Sequence, residues 1–452
     1  MSVQTIEGPQ TDAVGLLPVA VTGLPRDLWA GSSTAAIAGR LDDVGQELLP
    51  SMQELLYLIL LSELDPPADS TQRATLTLAR VDALLALGAV EQASALVNLT
   101  GNDTPELFRR AFDVSLLLNT VDEICARMRS TPSISPTFPA RIFCLARGGD
   151  WAGATLTLET GRALGFVSED EDLLLAHFLD LGLDEDINPP VLPTHPSPLE
   201  FRMFEAIGRP LPTHDLPVAF AHADLSGFTG WKTQIESAER LARTGAIDPN
   251  RLFGLYSEQK PAASGGVWDR AAAIQALDAT FLSFDGSYVG PALVAAWRAM
   301  EMVELEVPFA RQYCSRLIGR HLQGEAQHIR FRMCLLAGNQ PDGLINPIAP
   351  DHREDLVVKL LGGDISAVRP VNAYERAILA GFSSAEMPVR LRSLTAEDRL
   401  GEAVLRAIAL LENGAKGDLD ELTDALTFFR LAGFEKTARR AAIELLFLER
   451  RG

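Results

Sequence analysis

Aromatic residues are scarce, 7 % of 452, and long apolar runs are scarcer still. The longest uninterrupted one, LLYLILL at 55–61, falls far short of the roughly 20 residues that a bilayer-spanning helix needs, so no direct membrane insertion is expected. Basic charge is also in deficit: 40 Lys and Arg stand against 60 Asp and Glu, a formal charge of -20. An acidic protein of this kind repels polyanions, which argues against nucleic acid as a partner and in favour of a basic one.

Strand signals are missing too. No run alternates Val, Ile, Thr or aromatic residues with polar ones, and no Asn-Gly or Asp-Gly turn sits between two such runs. Apolar residues instead recur at spacings of three and four, with Ala and Leu abundant, the pattern of amphipathic helices. The chain lacks GxxxxGK[ST], GxSxG and HExxH, and no GxGxxG follows a strand. CxxC is absent, so zinc ribbons and thioredoxin-like redox motifs have no support. Neither a cofactor nor a metal is expected. The opening, MSVQTIEGPQTD, carries no basic region followed by an apolar one, so no signal peptide is read within it. The expected location is periplasmic if a leader is removed upstream and cytoplasmic otherwise.

What is present is repetition. A Leu/Ala-rich helix, a Gly, four residues and then a small residue recur in LLALGAVEQA (Gly88, Ala93), CLARGGDWAGA (Gly149, Ala154), CLLAGNQPDG (Gly338, Gly343) and FRLAGFEKTA (Gly433, Ala438). Gly permits the positive φ that ends a helix, and the small residue lets the next helix pack closely. A larger repetition contains this one. Cys125, Cys144, DLLLAHFL (172–179) and EFRMFEAIG (200–208) are followed in order by Cys314, Cys334, DLVVKLL (355–361) and YERAILAG (374–381). The expected fold is therefore all-α: an α-solenoid of stacked antiparallel helical hairpins with an internal duplication. Proline-rich NPPVLPTHPSPLE (188–200) is the clearest break, since Pro removes backbone donors and disfavours helix before it. The expected organisation is an irregular arm over 1–50 whose Trp29 anchors it to the first helices, a helical-repeat lobe over 51–187 and a connector over 188–198. A second lobe over 199–399 and a capping hairpin over 400–452 complete it.

The Gly-to-small-residue turn resembles that of a tetratricopeptide repeat, although the Trp, Tyr and Pro positions of that repeat are mostly missing and no 34-residue period emerges. The Ala/Leu-rich array with its acidic surface also looks like the non-catalytic superhelical part of soluble lytic transglycosylases. That family's catalytic Glu-Ser and GLMQ-type segments are not found here. The resemblance therefore implies the scaffold without the enzyme, with peptidoglycan as a secondary candidate ligand.

Chemistry-bearing residues form few constellations. Ser168 and Glu171 in the acidic block SEDEDLLLAHFLDLGLDEDIN (168–188) fit a capping box. Its Asp184, Asp186 and Asn188 imitate the start of an EF-hand loop, but Pro189 and His195 stand where Gly and Glu are required, so calcium binding is rejected. His321 and His328 would lie about 10 Å apart along one helix, too far to share a metal. His222 and Asp224, near His214 and Asp215, are the one local acid/base cluster and read as a turn before a helix. Glu200 and Glu205 are weak candidates for a catalytic acid. The cysteines pair at separations of 19 and 20 positions, Cys125 with Cys144 and Cys314 with Cys334. They are either disulfides across helical hairpins in an oxidising compartment or small buried residues on a packing seam.

The leading expectation is a non-enzymatic adaptor or scaffold that binds a protein or peptide partner, in the cell envelope if exported. The alternatives are a peptidoglycan-active enzyme or its regulatory subunit, and a cytoplasmic TPR-like scaffold.

Overall fold

In a computed structural model, residues 11–448 are described apart from 46, 72, 102–103, 182–188, 284–287, 339–348 and 367. Asp184, Asp186, Asn188 and Gly343 lie outside the described residues. Among those described there are 24 α-helices, and a single isolated bridge between Leu17 and Ser62 is the only β-type pairing. Chain neighbours pack as pairs: Phe138–Arg147 on Trp151–Leu164, Val267–Leu282 on Val289–Glu301, Glu306–Leu317 on Glu325–Leu336 and Leu400–Ala415 on Leu419–Leu431. The fold is all-α, of helical-repeat type.

The recurrent Gly has a physical reason at each turn. Gly88, Gly149, Gly338 and Gly433 have φ of 79°, 84°, 77° and 90°, a left-handed conformation that a side chain would strain. At three of these turns the residue after Gly donates back across the helix end: Ala89 N to Leu84 O, Asp150 N to Leu145 O and Phe434 N to Phe429 O, at 2.7 to 3.0 Å. These are Schellman-type ends that satisfy otherwise orphaned carbonyls. Ala93, Ala154 and Ala438, five positions beyond each Gly, are fully buried where the two helices meet. Helix starts are equally local. Ser168 and Glu171 form the capping box expected of them, and Ser197 and Glu200 form another after the proline-rich stretch.

By contact, the chain divides into two compact units. One comprises Met1–Leu16 with Thr71–Phe228, the other Leu17–Ser70 with Thr229–Gly452. The division does not fall at the prolines. In the first unit the Pro198–Ala206 helix packs on Pro105–Leu117 and Glu169–Phe178, so the connector joins helices of one body. In the second unit, residues 17–70 pack with the C-terminal helices. The expected irregular arm contains the Thr34–Asp42 helix, capped by Ser33, which lies against Leu400–Ala415. Trp29 is buried beside Leu400–Ala415: a Cβ added to Gly401 would lie 2.3 Å from its Cε3. Only a residue without a side chain leaves room for the indole.

The last helix, Glu435–Phe447, packs on Pro50–Leu61, His352–Gly362 and Glu325–Leu336, and its Ala438, Ala441, Ala442 and Ile443 are buried. One side of it is packed against these helices, and its Glu435 and Lys436 stay exposed. Glu444 is buried with them and accepts from Ser51 N at 2.9 Å and Ser51 Oγ at 2.6 Å, and burial pushes its carboxyl above the usual range. Arg440 on the same helix donates to Glu54 at 2.8 Å, which Arg311 also reaches.

Candidate functional site

The cysteines sit on paired helices. Cys125 on Asp122–Ser130 is bonded to Cys144 on Phe138–Arg147, with 4.9 Å between Cα atoms. Cys314 on Glu306–Leu317 is bonded to Cys334 on Glu325–Leu336, at 5.1 Å. All four residues are buried, so neither bond is presented to a solution thiol.

A cleft of about 370 Å³ opens beside the first disulfide. Of the two bonded helices, Phe138–Arg147 supplies Phe143, Ala146 and Arg147, and Val121 stands just before Asp122–Ser130. Leu116, Val121, Phe143 and Ala146 are buried in its floor, and Phe143 stacks on Phe178 with 5.5 Å between ring centroids. Trp151 stands at the edge. Asp150 caps the helix by accepting from Gly153 N at 2.9 Å, which places Trp151 at the first helical position, and its side chain stays 53 % exposed. An exposed indole over an apolar floor is unusual in a chain with five Trp in all.

The charged part of the lining is built around Arg202, itself buried. Its guanidinium donates through Nε to Leu116 O at 2.7 Å and through Nη2 to Leu117 O at 3.2 Å, closing the carbonyl end of Pro105–Leu117. Through Nη1 it donates to Glu205 at 2.6 Å. Arg147, which also lines the cleft, donates through Nε to Asp122 at 2.5 Å, and that pairing holds the Asp122 carboxyl below its usual range; Asp122 itself is not among the lining residues. Of the two acids singled out from the sequence, Glu205 is therefore on the cleft and paired. Glu200 completes the Ser197 capping box, accepting from Ser197 N at 2.7 Å, and is not among the residues lining the cleft.

The histidines also take up structural partners. His222 lies in the short helix Ala221–Asp224, and its Nε2 donates to Gly88 O at 2.7 Å, on one of the Gly turns. Asp224 accepts from Thr213. His214 and Asp215 form an exposed pair at 3.0 Å. His321 precedes the Glu325–Leu336 helix, and His328 within it donates through Nδ1 to Glu354 at 2.8 Å. Glu354 is completely buried and also takes Arg332 Nε at 2.9 Å. Among the described residues no group of three or more His, Cys, Asp and Glu is placed to hold a metal ion, and no helix is long and apolar enough to cross a membrane.

The second unit has a cleft of its own, about 520 Å³, lined by Leu335, Gly338, Leu361 and the Lys436, Arg439 and Arg440 face of the last helix. There Arg439 plays the part of Arg202, donating to Leu360 O at 2.9 Å, Leu361 O at 2.6 Å and Glu435 at 2.7 Å. Its lining is more basic and has no aromatic residue.

Sequence reasoning passed over Trp151 and Arg202. The signal available for Trp151 was its place just after a Gly-Gly-Asp turn, in the first turn of a helix, where a large apolar residue has no intrahelical reason to stand. Nothing local marks Arg202, whose acceptors lie 85 and 86 positions earlier. Comparison of the chain with known protein families, with curated proteins and with solved structures finds no match in any of the three.

Proposed function

We propose that the chain is a non-enzymatic helical-repeat adaptor that binds a protein or peptide partner, acting in an oxidising compartment such as the bacterial cell envelope. The observation that carries this reading is the cleft beside Cys125–Cys144, where Trp151 stands exposed over an apolar floor. Aromatic side chains presented in this way are the usual energetic centres of protein recognition. The acid/base candidates near it support binding over turnover, because Glu205 is engaged by Arg202 and Glu200 by its own helix start. Two disulfides favour an oxidising location over the cytoplasm. The resemblance to tetratricopeptide turns and to the superhelical scaffold of lytic transglycosylases points the same way.

The test is chemical cross-linking of the full chain in extracts of its native host, with the Trp151→Ala variant alongside. A discrete protein partner that the variant loses is the expected result. Recovery of no protein, together with tight binding of a glycan, refutes the reading. One observation favours a second reading, a peptidoglycan-active protein: the Glu205 carboxylate is 50 % exposed on the cleft. Peptidoglycan turnover abolished by Glu205→Gln would establish that alternative, and an inert protein removes it.

A further inference from the structure

The Trp151–Leu164 helix buries one side and leaves the other nearly bare of charge. Ala154, Leu158 and Gly161 face inward, and a Cβ added to Gly161 would lie 2.7 Å from Val167 Cγ2 and 3.1 Å from Phe138 Cδ1. The end of the helix is thus held firmly from behind. On the outward side Leu156 is 69 % exposed and Leu164 58 %, and Phe166, just past the helix end, is 60 % exposed although its ring stacks on Phe138 at 5.1 Å. A surface helix ordinarily carries charged and polar residues there. The charged residues of this one are Glu159 and Arg162 alone, and they pair with each other at 2.6 Å.

Beside this face the charge is one-sided. Arg162 also donates to Asp172 at 2.5 Å, which sets the first turn of Glu169–Phe178 against the last turn of Trp151–Leu164. That first turn carries four acids, Glu169, Asp170, Glu171 and Asp172. A helix start offers roughly +0.5 of an elementary charge, and Arg162 is the one Lys or Arg from 151 to 178. Together they balance fewer than half of the four carboxylates. Glu171 is occupied with the Ser168 cap and Asp172 with Arg162, whereas Glu169 and Asp170 stand exposed.

We propose that this outer face is a docking surface for an amphipathic helix of a partner protein, one whose apolar stripe is flanked by Lys or Arg. Leu156 and Leu164 are eight residues apart, about 12 Å along the axis, which suits apolar anchors two turns apart on a second helix laid alongside. A polar ligand gains nothing from three exposed apolar side chains. An acidic partner, a second copy of this chain included, meets Glu169 and Asp170 with like charge, and a basic one is complementary to them. The surface is separate from the cleft: Leu156, Leu164 and Phe166 are not among the residues lining it, and Leu156 stands about 140° round the helix from Trp151. The proposal extends the adaptor reading, on which it rests for the existence of a protein partner, with a second point of attachment.

The probe is the amidated helical peptide KALKALKKALKALK, carrying a fluorophore at its N-terminus and titrated with the intact chain by fluorescence anisotropy. One control has the same residues reordered so that Leu is spread round the helix, and another has Glu for every Lys. The probe should bind, the reordered peptide more weakly and the Glu peptide not at all. Joint change of Leu156→Asn and Leu164→Asn should weaken the probe about fivefold or more, as for an energetically important contact. Joint change of Glu169→Gln and Asp170→Asn should cost about two- to fivefold, the worth of exposed pairs, and Trp151→Ala should leave the affinity unchanged. All of these side chains are exposed, so far-UV spectra and melting close to those of the parent separate lost binding from lost fold. Equal binding of the reordered peptide reduces the contact to charge alone and overturns the proposal. So does binding of the Glu peptide, an unchanged affinity in the leucine variant, or a parent that sediments as a dimer and becomes monomeric in that variant. If the probe fails while cross-linking still captures a partner that Trp151→Ala loses, the outer face falls and the adaptor reading stands. If both fail, both fall.

Discussion

Removing the first disulfide is the most informative single perturbation, because it acts on stability, compartment and cleft together. Cys125 and Cys144 are 19 positions apart and Cys314 and Cys334 are 20 apart. Closing a loop of that size in the unfolded chain is worth about 3 kcal/mol at 25 °C in the chain-entropy model. The paired change Cys125→Ala with Cys144→Ala should therefore lower unfolding free energy by about 3 kcal/mol, and the buried sulfur atoms it deletes add up to roughly 1 kcal/mol more. Urea unfolding without reductant measures the loss. Addition of a dithiol reductant should destabilise the parent more than the variant, because one of the parent's two bonds is already missing in the variant. The same variant should weaken ligand binding at the cleft, whose Val121, Phe143, Ala146 and Arg147 stand on or beside the bonded helices. The equivalent change at Cys314 and Cys334, in the other unit, should destabilise by a similar amount and leave the cleft's affinity unchanged. Alkylation of the unfolded, unreduced protein followed by mass measurement gives the decisive result. Four adducts, or a loss below about 1 kcal/mol for the first pair, would refute the disulfide reasoning and favour a cytoplasmic scaffold.

Other consequences can be checked separately. Gly401→Ala should cost about 1–3 kcal/mol by overpacking against Trp29, whereas Gly39→Ala, where an added Cβ meets nothing within 4 Å, should be neutral or stabilising; thermal unfolding distinguishes them, and equal effects would contradict the Trp29 packing. Burial, with help from Asp82 and against Arg109 and Arg110, pushes the Asp113 carboxyl up to about 6. The folded state then holds its proton more tightly than the unfolded state, so the contribution of Asp113 is complete below pH 4 and is lost as pH rises to about 6. Asp113→Asn should flatten that part of the stability profile and gain up to about 3 kcal/mol at pH 8, as followed by urea midpoints across pH; an unchanged slope would count against it. Arg202→Met should lose about 2–4 kcal/mol by leaving two buried carbonyls and Glu205 without their donor, and Arg202→Lys should recover little, since an ammonium cannot span the three acceptors. Full recovery by Lys would show that only the charge matters.

Local features of this fold were legible in the sequence, and the long-range ones were not. The Gly-to-Ala spacing identified the helix ends because a positive φ and a close helix approach each demand a particular residue at a particular position. Ser168 with Glu171 was readable for the same reason: both halves of the capping box lie within one turn. The chain also offered two pairs of cysteines at hairpin spacing, which limited the pairing without deciding between a bond and a seam. The contact of Trp29 with Gly401 could not be read, because Gly401 is a residue defined only by what it leaves out. The cleft was invisible for a related reason: its Leu116, Phe143, Phe178 and Glu205 come from four different helices, and nothing in the spacing of any one of them records the others. His328 looked like part of a solvated helix face until Glu354 on another helix was placed against it.

Composition misled in a subtler way about charge. The formal -20 treats all ionisable side chains alike, but among the described residues eight acids and three arginines are buried. Three of these acids are held by a partially exposed arginine, Glu239 by Arg270, Glu354 by Arg332 and Glu402 by Arg399, and the imidazoles of His328 and His352 also meet Glu354 and Glu375. Burial of a carboxylate is tolerable only with such partners, so each Arg–Glu pair takes one negative charge out of the surface field and leaves part of a positive one in it. The surface is therefore acidic, but by less than the count of residues suggests, and long-range attraction alone cannot select a basic partner. Selection has to come at short range, from an exposed carboxylate beside an apolar contact, which Glu205 supplies at the cleft. Binding there should consequently weaken only a fewfold between low and high salt, as expected for one or two screened pairs beside an apolar anchor. A steep salt dependence would locate the partner's attachment elsewhere on the acidic surface.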